Sequence, residues 1–258
     1  MRAGDAGGNL GPYSNTASAT VFGAGPAPEP NPKPDPDPTP GTFPPGLVAG
    51  YRLNEDSGTT AADISGNEAT GAVVGSPTWT AGAYGNALTF NGISYVDLGN
   101  PASLRLTGSM TLSAWINISE NPWDDGGIVG KLERSGWQLK TSPDTGVRTA
   151  AIQLSSTGSD SIQRYSSTVL VPNAWYHIAG VYDASARTLD IYVNGALANG
   201  VLSGSVPAAQ VDAPYNVNIG QRTGYPGNFN FRGRIDEVHV FDRALSAGEV
   251  RDDMNLAR

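Results

Sequence analysis

The chain has 258 residues, 39% of them apolar, which is enough to build one substantial hydrophobic core. Sixteen Lys and Arg against 24 Asp and Glu leave a net charge of -8; without a basic cluster to meet a phosphate backbone, nucleic acid is excluded as an expected partner. The absence of cysteine removes disulfides, zinc-thiolate sites and thiol nucleophiles, and no apolar run approaches the ~20 residues that span a bilayer.

Residues 2 to 22, RAGDAGGNLGPYSNTASATVF, are too few to bury a core of their own. The piece resembles the last two strands of a fibronectin type III domain, a likeness in which Arg2 to Asn9 ends one strand and turns and Tyr13 to Ala17 begins the final strand, so residues 1–25 are expected to be a disordered remnant of such a domain in a multi-module exported parent. No charged-then-apolar leader follows Met1, so export implies a leader already removed or a longer chain.

From Pro26 to Pro40 every second residue is proline. Proline fixes φ, removes an amide donor and holds its predecessor extended, so residues 26–46 are predicted to be a polyproline II linker. At about 3.1 Å per residue the proline run holds its neighbours about 45 Å apart.

Residues 47–258 then alternate turn signals, such as Ser65-Gly66-Asn67, Asn91-Gly92 and Asn194-Gly195, with strand-like runs. The clearest runs are Leu47 to Leu53, Met110 to Ile118, Gly127 to Leu132, Trp137 to Thr141, Thr149 to Ser155, Trp175 to Tyr182, Thr188 to Val193 and Arg234 to Phe241. In Thr188 to Val193, Leu189, Ile191 and Val193 share one face while Asp190 and Tyr192 share the other, the period of half-buried sheet. Ten or more strands with one late helix predict an all-β protein of two stacked antiparallel sheets. The helix is placed at Ser246 to Asn255, where Ser246 and Glu249 make a capping-box pair.

Five ordered segments carry a resemblance: AGYRLNEDSGTTAADISGNEATG at 49–71, GNALTFNGISYVDLG at 85–99, MTLSAWINI at 110–118, WYHIAGVYDASARTLDIYVNG at 175–195 and FRGRIDEVHVFDRALSAGEV at 231–250. Together they resemble the bacterial laminin G-like family of concanavalin A-like jelly rolls. That resemblance implies a jelly-roll sandwich across 47–258 and permits lectins, carbohydrate-binding modules, adhesion domains and some glycoside hydrolases, so function has to come from side chains.

Glycoside hydrolysis usually needs two carboxylates converging on one bond. Asp236 and Glu237 are neighbours on a strand and are expected to point to opposite faces. His177 and His239 stand in strands without a Ser-His-Asp or His-x-x-x-His arrangement, so both read as structural. The expectation is therefore a non-catalytic module. The oxygen-rich loop 63–71 suits a hard cation, and related modules tie their chain ends with calcium. A structural calcium is expected on Asp63 and Asp236, with Asn67 and the carbonyl near Thr70 behind them; the alternative is that Asp63 and Asn67 only cap a turn.

Aromatic and long polar residues outside the alternating core pattern mark the candidate ligand surface: Trp123, Trp137, Tyr165, Arg148, Arg222, Tyr225, Asn228 and Phe229. Aromatic planes stack on the C-H faces of sugar rings, and amides and guanidinium groups meet the hydroxyls. Trp79, Trp115 and Trp175, inside strand-like runs, read as core. The expected function is binding of extracellular polysaccharide by a secreted or cell-surface protein, as a monomer tethered to other domains. A protein-binding or adhesion module is the alternative.

Overall fold

The computed structural model describes residues 42–119, 125–133, 135–142, 147–157, 160–224 and 229–256. The expected fibronectin-like remnant and the proline run fall outside the described residues. In chain order the first strands are β1 (Leu47–Tyr51), β2 (Thr60–Ala61), β3 (Gly71–Val74), β4 (Thr78–Ala81), β5 (Asn86–Asn91) and β6 (Tyr95–Asp97). A single 3-10 turn at Ala102–Leu104 precedes β7 (Met110–Ile118), β8 (Gly127–Leu132), β9 (Gly136–Ser142), β10 (Thr149–Leu154) and β11 (Ile162–Ser166). The last elements are β12 (Trp175–Asp183), β13 (Thr188–Val193), β14 (Ala196–Leu197), β15 (Asn199–Ser203), β16 (Asn218–Ile219), β17 (Arg232–Phe241) and the helix α1 (Ala247–Leu256).

These strands form two antiparallel sheets. One runs β14-β13-β12-β7-β17-β5-β4, with β1 also pairing β17, and the other runs β15-β11-β10-β9-β8-β16-β6-β3-β2. The inner faces supply one core that includes Leu112, Ala114, Ile116, Trp137, Leu139, Ile152, Ile178, Ile191, Ile235 and Val238. The two-residue period of the strands delivers each of these to the same side as its neighbours. The jelly-roll sandwich expected from the sequence is thus the observed fold.

The outer faces differ. On the eight-stranded sheet, α1 packs with Leu245 and Val250 over Ala179, Val181, Tyr192 and Phe241 as a second small apolar cluster. The capping box holds the start of α1: Glu249 N donates to Ser246 Oγ at 3.3 Å, and Ser246 N donates to a Glu249 carboxylate oxygen at 2.8 Å. This face is covered, and all nine residues of β7 are buried as a result. The outer face of the nine-stranded sheet has no helix upon it among the described residues.

Candidate functional site

Cross-strand registers place one row of side chains straight across the outer face of the nine-stranded sheet. Gln163 lies opposite Gln153, Gln153 opposite Gln138, Gln138 opposite Gly130, Gly130 opposite Asn218, and Asn218 opposite Asp97. The adjoining row carries Tyr165, Ala151 and Lys140. The first row is hydrogen-bonded laterally: Gln138 Nε2 donates to Gln153 Oε1 (2.8 Å), Gln153 Nε2 and Gln163 Nε2 both donate to Ser161 Oγ (2.9 and 2.8 Å), and Tyr165 Oη donates to Gln163 Oε1 (2.9 Å). Such a network fixes its rotamers in advance. The row is recessed at its centre, where Gln138 and Gln153 are 2% and 7% exposed, and emerges half-buried at Gln163 and Tyr165 on one side and at Tyr95 and Asp97 on the other. Gly130 keeps β8 against β9: a Cβ there would stand 2.5 Å from Gln138 Cβ.

At the β6 and β16 end the row opens into a cleft of about 360 Å³ lined by Tyr95, Asp97, Tyr215, Asn216, Asn218, Gln221 and Thr223. Asp97 is oriented by the Gly99 amide (2.8 Å) and by Asn216 Nδ2 at 3.0 and 3.1 Å from its two oxygens. Thr223 Oγ1 donates to the Asn216 carbonyl (2.8 Å), which ties the two rims together. Asn218 is 5% exposed, and its Oδ1 is buried without a hydrogen-bond partner.

The residues singled out in the sequence scatter. Trp123, Tyr225 and Asn228 lie outside the described residues. Trp137 is a correction: it is 0% exposed in the core between Leu139 and its sheet partners, because the register of β9 turns Gln138 and Lys140 outward instead. Arg148, 2% exposed, is enclosed rather than presented. Tyr165 stands half-buried on the outer face of the nine-stranded sheet. Arg222 and Phe229 are brought together, with the guanidinium 4.6 Å above the ring, but Arg222 also donates to the Leu132 and Glu133 carbonyls (3.1 and 2.7 Å) and so closes the end of β8. Trp79 packs against the core, whereas Trp115 and Trp175 lie on the covered outer face, Trp175 beneath the Arg234 guanidinium.

The expected separation of Asp236 and Glu237 is also corrected. β17 bulges between Asp236 and His239, where one residue more than on β7 is accommodated, and Glu237 takes a left-handed φ of 45°. The extra residue cancels the alternation, so Glu237 reaches His239 Nε2 (3.5 Å) on the same face as Asp236. Both carboxylates are buried there, with Phe43 stacked edge-on to His239 at 4.7 Å. Asp253 of α1 completes the cluster. It meets His239 Nδ1 at 2.9 Å and His177 Nε2 at 3.5 Å and accepts from Ser113 Oγ at 2.6 Å.

The proposed calcium ligands are not gathered at one point. β1 does pair antiparallel with β17, but the register sets Tyr51 opposite Val238, so Asp236 lies past the last paired residue of β1. It accepts instead from the amides of Ala83 and Tyr84 (2.9 and 3.0 Å), in a turn where Gly82 is required because a Cβ would stand 2.4 Å from Asp236 Oδ2. Asp63 accepts from the Gly50 and Ser65 amides at Oδ1 and from Ser65 Oγ and the Ala69 amide at Oδ2. Asn67 donates to the Val48 carbonyl (3.0 Å). These donors saturate Asp63 as a turn cap and hold its carboxyl below the usual range despite burial. Asp236 is the opposite case. Burial, aided by Glu237 and opposed by the Tyr84 and Ala83 amides, pushes its carboxyl up to about 8, and its Oδ1 is buried with no partner. Of the two acids, only Asp236 has an oxygen that a cation would satisfy.

The two stacked antiparallel sheets, one with a helix on its outer face and one with a polar, recessed outer face, form a jelly-roll sandwich. Residues 90–251 match the sequence profile of the concanavalin A-like lectin/glucanases superfamily, and the chain belongs to it. No curated protein sequence matches the chain. Among solved structures, domain 4 of AbnA, an extracellular arabinanase from Geobacillus stearothermophilus, superposes with a TM-score of 0.61 at 20% identity, over 83% of this chain and 98% of that one. The binding domain of botulinum neurotoxin serotype G gives 0.60 at 13% identity, over 80% of this chain and 50% of that one. The Trypanosoma rangeli sialidase gives 0.56 at 16% identity, over 82% of this chain and 33% of that one. At these identities the likeness is one of fold.

Proposed function

We propose that residues 47–258 form a non-catalytic carbohydrate-binding module of a secreted protein, holding polysaccharide against the outer face of the nine-stranded sheet. The observation that carries this reading is the recessed row of Gln163, Gln153 and Gln138, whose uncharged amides are cross-linked in advance, with Asn218 further along the same row. Amides and hydroxyls at fixed positions match the alternating donors and acceptors of sugar hydroxyls, and Tyr165 offers a ring for stacking. The arabinanase domain of similar fold was solved in complex with arabinotriose, which agrees with this use of the architecture. The Asp236 and Glu237 carboxylates, sealed under the covered sheet, are not placed to meet a polymer. Affinity electrophoresis through gels of different neutral polysaccharides tests the reading. Retardation is expected in at least one gel, weakened about three- to ten-fold by Tyr165→Ala. Migration unaltered in every gel would overturn the binding role, and release of reducing sugar by the purified protein would overturn the non-catalytic one.

A protein-binding role has one observation in its favour. Leu197, Val201 and Leu202 of the edge strands β14 and β15 are exposed apolar residues. It ranks second because these strands are edges with polar neighbours, and nothing indicates a partner's chemistry.

We further propose that a calcium ion meets Asp236 and supplies the charge neutralisation its buried carboxylate lacks. A carboxyl raised to about 8 favours the protonated folded form, so its contribution to stability falls as pH rises from the unfolded value near 3.8 towards 8. Calcium should therefore raise the melting temperature more at pH 8 than at pH 5, with reversal by EDTA. A melting temperature indifferent to calcium at both pH values would remove the ion.

A further inference from the structure

We infer that the cleft between β6 and the segment preceding β16 is the subsite that selects the sugar, and that it takes a neutral unit through a vicinal diol. The inference rests on the proposed carbohydrate-binding role and goes beyond it by naming the pocket, the chemistry and the excluded ligands.

Two features point to a ligand independently. One is the geometry: about 360 Å³ of space between two tyrosines, Tyr95 and Tyr215, within the range of small-molecule pockets. The other is Asn218, whose Oδ1 is buried and unpartnered on the wall of that space. A buried acceptor without a donor costs roughly 1–3 kcal/mol, and a ligand hydroxyl entering the cleft would supply the donor.

Asp97 makes the site specific. It stands directly opposite Asn218 in the β6 and β16 pair, so its acceptors and Asn218 Oδ1 belong to one row. Cross-strand neighbours are about 4.5–5.5 Å apart, a spacing that two adjacent ring hydroxyls can bridge. The Gly99 amide and Asn216 Nδ2 hold the carboxylate in place, so accepting from a sugar needs no reordering. Among the described residues, neither Lys nor Arg lines the cleft. A uronate or sulfated sugar would bring its negative charge against Asp97, whereas a neutral sugar meets, besides that carboxylate, uncharged amide, hydroxyl and aromatic groups among the described residues.

The sequence signal was divided. Tyr95 and Asp97 lie more than a hundred residues before Tyr215 to Thr223, and the pairing of β6 with β16 brings them together.

The test uses the full chain and the neutral polysaccharide that retards it most in gels, with oligosaccharides of that polymer and oligogalacturonate as soluble probes. In calorimetric titration, Asp97→Asn and Tyr215→Ala should each weaken the neutral oligosaccharide by about ten-fold or more, with melting temperatures near that of the parent protein. The side-chain amide resonances of Asn218 should shift on titration. Oligogalacturonate should bind about ten-fold more weakly than the neutral probe, and Asp97→Asn should narrow that gap. If the parent protein binds neutral sugar while both variants bind it unchanged and Asn218 does not respond, the cleft is overturned and the carbohydrate-binding reading stands. Equal binding of oligogalacturonate would overturn the selection for neutral sugars. If the parent protein binds no polysaccharide at all, both readings fall together.

Discussion

Replacing Asp253 with alanine is expected to lower the stability of the domain by about 3–5 kcal/mol, the usual cost of removing one partner from a buried ionic cluster. Its carboxylate is the meeting point of His239, His177 and Ser113 beneath α1, and without it both imidazoles lose their shared acceptor, with Glu237 still 3.5 Å from His239 Nε2. For a domain of this size the melting temperature should fall by about 10 °C. Asp253→Asn keeps the shape and one acceptor, so its loss should be smaller. A melting temperature within about 2 °C of the parent for the alanine variant would mean the cluster does not anchor the helix.

The same cluster has a pH signature. Burial alone would hold His239 neutral, but the Asp253 and Glu237 carboxylates outweigh it and push the imidazole up to about 9. Because the folded value lies above the unfolded one of 6.5, the stabilisation is complete below about 6.5 and is lost as pH rises through 9. Asp253 is held well below the usual carboxylate range, so its share is lost as pH falls through that range. Thermal melts of the parent protein should therefore decline on the alkaline side, and Asp253→Ala should make that decline shallower.

The second large effect is at Trp137. Alanine there should cost about 3–5 kcal/mol, since the indole fills the core and the cavity left behind cannot close fully. Carbohydrate retention of the folded fraction should be unchanged. The opposite pattern, an unaltered melting temperature with binding abolished, would put the ring in the ligand surface after all.

That contrast shows what the sequence could and could not carry. Met110–Ile118, Gly127–Leu132 and Thr188–Val193 were legible to the residue because alternation and flanking turns agree there. The capping box placed α1 within one residue at its start. Strands of two residues, such as β2, β14 and β16, hold too few alternations to be read at all. In the run from Trp137 to Thr141, apolar and amphipathic residues alternate, but the face that meets the core is fixed by the partner strands; Trp137, expected on the ligand surface, therefore lies in the core. The bulge at Glu237 had no signal, because an acidic residue in a left-handed conformation lacks the glycine that usually marks one. Asp63 stands in its turn, and the hydrogen bonds observed there are those of a carboxylate capping nearby backbone amides.

The clasp between Arg243 and the Pro45 carbonyl, at 2.6 Å, joins residues near both ends of the described domain on the helix-covered sheet. A surface, dye or fusion partner attached through α1 would then stand behind the sandwich, and the amide row and tyrosine-walled cleft would point away from it. Immobilised this way, the domain can be presented to insoluble polymer with its working side outward.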